Sequence, residues 1–166
     1  TLPFKLVATV TAQEEVGERG ALIAAKQVNP DLAIVFEGCP ADDTAETPEM
    51  IQSAMGKGPM LRYFDVSMIT NPEFQEYALE IAKINKIPVQ VSVRSGGGTN
   101  GMAITQVQGA PTIVVGIPVR YAHTPHCYVD FQDYQAAKEL VIQLIKNLDA
   151  DKIQALVQPL SKEWNK

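Results

Sequence analysis

Short β-branched apolar runs alternate along this chain with stretches whose apolar residues recur every three or four positions. That alternation leaves few folds open. Residues 6–11, 32–36, 60–65, 88–93 and 112–119 read as strands. Between them, Ala21, Leu22, Ala25 and Val28 repeat at helical spacing after the polar turn 13–17. Asn29-Pro30 ends that helix, because a residue before proline is pushed out of the α region. Asn71-Pro72 is a helix start, followed by a stripe of Phe74, Tyr77, Ala78 and Ile81. Asp130, with Asp133 three residues on, caps a helix whose stripe is Tyr134, Ala137, Val141, Leu144 and Leu148, and a last helix starts near Asp151. Strands alternating with helices predict an α/β class, a three-layer α/β/α domain with a mostly parallel (mixed) central sheet.

A chain of 166 residues fits one domain, 1–166, and could bury about two-thirds of its unfolded surface. The 46% hydrophobic content supplies a core, and 20% charged residues with a net charge of −5 argue against disorder. The acidic balance gives no electrostatic capture of nucleic acid or anionic membrane, so neither is expected as a partner. No apolar run reaches 18 residues and no secretion signal is visible. Cys39 and Cys127 make no disulfide framework, so a reducing, cytoplasmic home is expected. The chain opens on Thr1 and is soon in an apolar run, as a piece of a longer protein would be.

In layered sheets of this kind ligands bind beyond the carboxyl ends of strands. Four such exits carry polar groups: Glu14 and Glu15, then Glu37, then 94–100, then 120–126 with both histidines. Glu14 and Glu15 leave a strand in different directions, so one could bind a cation while the other polarises a water. Acids there also simply complement the helix N-terminus that follows. Glu37, after five apolar residues, sits at the edge of the core, where a charge is costly unless paired or metal-bound. A solvated loop carboxylate is the other reading, and Asp42 and Asp43 are reserves of that kind. His123 and His126 flank Thr124-Pro125 on a stiff loop, suited either to a metal or to capping. Gly96-Gly97-Gly98 lacks the lysine of a phosphate loop and reads as a tight turn entering a helix. Carboxylates with imidazole on one rim suit zinc, cobalt or manganese.

Thr11-Ala12-Gln13-Glu14-Glu15-Val16-Gly17, with Arg19-Gly20-Ala21, resembles the signature of the tetrahedral (TET-type) metallo-aminopeptidases, a family of glutamyl and deblocking aminopeptidases also labelled cellulase M or endoglucanase. Four further stretches agree in order: Pro30-Asp31 through Glu37; Gly56-Lys57-Gly58-Pro59; Gly97-Gly98-Thr99; and Gly109 through Thr112 continuing to Pro118-x-Arg120-Tyr121-x-His123-Thr124-Pro125. The likeness runs from about Leu6 to about Leu148.

The resemblance implies a zinc-peptidase-like domain holding two divalent ions, zinc or cobalt with manganese possible. It implies Glu14 as general base, Glu15 as a ligand of one metal, Glu37 in place of an aspartate ligand of the other, and His123 as the imidazole ligand. His126 falls where the family has no fixed ligand, and Asn100 stands where relatives often have Asp. It also implies that a first histidine ligand, a bridging aspartate and an inserted assembly domain lie upstream of Thr1. The chain would then be the C-terminal half of the catalytic domain, truncated at its N-terminus and inactive alone. The parent would cleave N-terminal residues from peptides as a homo-oligomer, a dodecamer in the family. The alternative is a non-catalytic relative serving as a binding or assembly module. Arg94 and Arg120 are candidates for recognising acidic substrate residues.

Overall fold

The computed structural model describes residues 1–157. A polar turn leads into α1 (Arg19–Val28), then β1 (Ala33–Pro40), an irregular stretch over 41–59, β2 (Met60–Phe64), α2 (Pro72–Ile84) and β3 (Gln90–Val93). There follow α3 (Asn100–Gln108), β4 (Thr112–Arg120), the two-residue β5 (Tyr128–Val129), α4 (Phe131–Asn147) and α5 (Ala150–Val157). The sheet runs β1-β4-β2-β3, with β5 on β4. β1 is parallel to β4 and β2 to β3, while β2 and β5 lie antiparallel to β4. It is therefore mixed, as the sequence predicts.

Side chains alternate across a strand, so β4 divides the core. Ile113 and Val115 join Leu61, Phe74, Leu140 and Leu144 in the larger cluster, beneath α2 and α4. Val114 faces the other way and meets Val35, Met68 and Ile104 of α3, the helix against which α1 packs. Local chemistry closes the helices. Asn71 Oδ1 accepts from the Phe74 amide at 2.8 Å, Thr99 Oγ1 from Gly101 at 3.0 Å, and Asp130 Oδ1 from Gln132 at 2.7 Å. Asn29 ends α1 at φ 48°, in the left-handed region that asparagine tolerates.

Two strand expectations fail. Residues 6–11 form no strand; Leu6 is 55% exposed and Val10 fully exposed. A β-branched run becomes a strand only when a neighbouring ladder takes its N–H and C=O groups, and none lies beside it among the described residues. Glu37 does not follow its strand but sits inside it, because β1 continues through Gly38 and Cys39 to Pro40 in register with Gly116 to Val119. The Asp133 expectation also needs correcting. Its carboxylate does not close a capping box but accepts from the amides of Gly56 and Gly58, both at 2.7 Å.

Candidate active site

The turn bearing Glu14 and Glu15 is wound by its own backbone. The amides of Gly17 and Glu18 both donate to the Glu14 carbonyl, at 3.1 and 2.9 Å, and Gly20 donates to Ala12 at 3.0 Å. A side chain on Gly20 would put its Cβ 2.4 Å from the Ala12 carbonyl oxygen, so only glycine allows this approach. The turn thereby presents two adjacent acids at the mouth of α1, Glu14 half-buried and Glu15 exposed.

His123 comes from the opposite side, in the turn that leaves β4. Its φ of 60°, like that of Tyr121, places the ring where Nε2 lies 3.3 Å from Glu15 Oε1. Both side chains are about three-quarters exposed, at 74% and 73%, so the contact contributes little to stability.

Glu37 approaches from the sheet. Its Oε2 is buried without a hydrogen-bond partner. Burial pushes the Glu37 carboxyl up to about 8; the Arg62 guanidinium pulls against the rise, and the charges of Glu14, Asp65 and Glu15 add to it. Burial also raises the Glu14 carboxyl, helped by Glu15 and Glu18 and opposed by His123. Glu37 thus feels the charges of Glu14 and Glu15, and Glu14 in turn those of Glu15 and His123.

Among the described residues no three His, Cys, Asp or Glu side chains stand close enough together to enclose a metal ion. The chemistry of the donors still suits a divalent cation. Carboxylate oxygens and an imidazole are the right types, and the orphaned Glu37 oxygen is a buried acceptor that a cation would satisfy.

The other candidates have different work. Asp42 accepts from the amides of Gln52 and Ser53 at 3.2 Å and pairs with Arg94 at 2.5 Å. Asp43 accepts from Met55 at 2.9 Å and takes a two-pronged bond from Arg120, at 3.0 and 2.8 Å. Both arginines tie down 41–59 through these carboxylates. His126 makes no ion pair among the described residues. A Cβ on Gly98 would lie 3.1 Å from the Ser67 hydroxyl and 3.2 Å from a Glu18 carboxylate oxygen, and its turn leads into α3. Cys39 is buried and reduced, and Cys127 exposed and reduced.

Sequence reasoning passed over Arg62 and Asp65, only 3% and 1% exposed and joined at 2.8 Å. The available signal was an arginine inside the apolar run Met60-Leu61-Arg62-Tyr63-Phe64, with an aspartate three residues on.

A family model described as M42 glutamyl aminopeptidase matches residues 1–140. The chain belongs to this family. It is 31% identical to a glutamyl aminopeptidase of Lactococcus lactis, over 92% of this chain and 42% of that protein. It is 34% identical to a lysyl aminopeptidase of Pyrococcus furiosus, over 86% and 40%. Among solved structures, the TET aminopeptidase of a marine-sediment Thaumarchaeota archaeon superposes with a TM-score of 0.85 at 40% identity, covering 89% of this chain and 42% of that one. The chain therefore spans about two-fifths of the length of the M42 relatives it matches. The M42 match covers every segment that builds the site, from the Glu14–Glu15 turn to His123.

Proposed function

We propose that this chain carries part of the catalytic domain of a metal-dependent aminopeptidase, with Glu14 as general base and Glu15, Glu37 and His123 as ligands of two divalent ions. The observation that carries the reading is the buried, partnerless Glu37 carboxylate oxygen in the same electrostatic neighbourhood as the Glu14–Glu15 turn, with His123 seated on Glu15. The bound cations would supply Lewis-acid activation of water and of the scissile carbonyl. The raised Glu14 carboxyl suits proton transfer nearer neutrality. It would take a proton from the attacking water and deliver it to the leaving amine.

Peptides are the substrates in this reading, and the working form is a homo-oligomer in the cytoplasm. A Pyrococcus horikoshii TET1 peptidase, 29% identical over 83% of this chain at a TM-score of 0.70, assembles into a tetrahedron or an octahedral shell. With three of the family's five ligands the isolated chain would be inactive. The second reading, a non-catalytic module, is favoured by the open arrangement of the donors.

A chimera tests both. This chain replaces the matching segment of the 40%-identical TET aminopeptidase, and release of aminoacyl chromophores is followed with added zinc or cobalt. The expected result is turnover in the folded chimera, loss of about 10²–10⁴-fold with Glu14→Gln, and none from the chain alone. A folded, metal-loaded chimera without turnover would favour the module. Turnover that survives Glu14→Gln would remove Glu14 from the mechanism.

A further inference from the structure

The sheet carries a cation on the face where Glu37 lies. In register, Glu37 sits beside Gly116 and Cys39 beside Pro118, while Met60 sits beside Gly116 from the other side. The two-residue period then places Glu37, Cys39, Gly116, Met60 and Arg62 on one face. Gly116 gives up the space above it to its neighbours, since a Cβ at that position would lie 2.3 Å from Cys39 Sγ and 3.3 Å from Met60 Cε. Over it the β2 side chain reaches β1: Arg62 Nη2 donates to Cys39 Sγ at 3.2 Å.

Asp65 engages only part of the guanidinium. Its Oδ1 accepts from the Ser67 amide and hydroxyl and from the Met68 amide, at 2.7, 2.6 and 3.0 Å. Oδ2 alone is left for Arg62 Nη1, at 2.8 Å. A carboxylate dedicated to an arginine would use both oxygens. Here the fork is split, with one prong on Asp65 and one on the strand of Glu37. On this face the Arg62 Nε donor and the Glu37 Oε2 acceptor, of opposite character, are both buried without partners.

We propose that Arg62 is a positioning residue, a buried cation reaching over Gly116 to the strand of Glu37, where its charge sets the Glu37 carboxylate for a divalent ion. This rests on the reading of Glu37 as a metal ligand. The group acts through Glu37 and touches neither substrate nor metal. Groups that fix a ligand in this way typically govern metal affinity by about 10–100-fold.

The first test needs no metal. Unfolding equilibria of the chain in urea are measured at pH 9, with Glu37 ionised, for the wild type, Arg62→Met, Glu37→Gln and the double variant. The Arg62→Met effect on the unfolding constant should shrink about tenfold in the Glu37→Gln background, because the charge it serves is gone. Equal effects in both backgrounds would mean that Arg62 serves Asp65 alone and would overturn the proposal. If Arg62→Met does not fold, Arg62→Gln enters the same cycle. The second test titrates cobalt(II) into the folded chain and reads visible absorbance. Arg62→Met should weaken binding, and Arg62→Lys should restore part of it. If Glu37→Gln weakens binding and Arg62→Met does not, the positioning role fails. If Glu37→Gln has no effect on cobalt, the ligand reading fails instead, and the urea cycle still decides whether Arg62 and Glu37 are coupled.

Discussion

Two irregular stretches of similar length flank α1 and β1, and they are held in opposite ways. Residues 41–59 are pinned at close intervals by side chains, two of their own and two from elsewhere in the molecule. Asp42 takes the amides of Gln52 and Ser53, Asp43 that of Met55, and Asp133 those of Gly56 and Gly58. Gln90 bonds both the amide and the carbonyl of Ala54. Residues 1–18 make almost no such bonds; Phe4 packs against the larger core cluster, and after it the chain runs exposed until Ala12 meets Gly20. Acids occur in both stretches. In 41–59 Asp42 and Asp43 are spent on backbone amides and arginines, whereas Glu14 is left with a raised carboxyl among like charges. Satisfied acids make structure. Acids left without partners are available for chemistry.

The contrast is broken most directly at Asp133. Asp133→Ala leaves the buried amide of Gly58 without an acceptor, and hands that of Gly56, which is exposed, to water. At about 1–3 kcal/mol for a buried unpaired group, a loss of about 2 kcal/mol is expected. Urea unfolding followed by circular dichroism measures it. A shift below about 1 kcal/mol would show that water replaces the carboxylate and that 41–59 is not held from α4.

That Asp133 was legible as a polar residue near a helix start, and not as the anchor of a distant loop, shows where the sequence stops informing. Periodicity reports what a residue's own element does, so β2, β3, β4 and the stripes of α1, α2 and α4 could be read locally. The partner of a side chain depends on elements brought together by folding. Asp133 and Gly58 are 75 residues apart, and nothing near either names the other. The same limit explains residues 6–11, where composition favoured a strand but pairing is a property of the neighbour. The site divides likewise. Glu14, Glu15, Glu37 and His123 were reached through ordered motifs, whereas Arg62 was hidden because a charge within an apolar run acquires meaning only from the face it shares with Glu37.

Acid sharpens the comparison by a smaller step. The Arg120 hydrogen bond, outweighing burial and helped by the Met55 amide, holds the Asp43 carboxyl below the usual range. A carboxyl depressed in the folded state stabilises it fully above the unfolded value, near 4, and that contribution is lost as pH falls through the depressed one. Exchange of the Met55 amide, corrected for the intrinsic rate, should therefore speed up below about pH 4. In Asp43→Asn it should be faster at neutral pH and lose this acid step. Residues 6–11, with no such pairing, should exchange near the intrinsic rate throughout. An unchanged Met55 rate from pH 6 to pH 3 would mean that the acid contacts do not close the stretch.

The smallest effect belongs to Val10, and its size is what makes it informative. The side chain is fully exposed, while Val114, the same residue in β4, is fully buried. Val10→Thr exchanges a methyl for a hydroxyl that water can solvate, so stability should move by less than about 0.5 kcal/mol. The same exchange at Val114 forces a hydroxyl into the Val35–Met68 cluster and should cost about 1–3 kcal/mol. Thermal or urea unfolding of the two variants side by side gives the difference. Equal costs would place Val10 in an apolar contact of its own and would end the contrast between a stretch held by partners and one left open. A cost confined to Val114 would show that the strand-like character of residues 6–11 does no folding work within this chain, because β-branched residues stabilise a strand only through the neighbours they pack against.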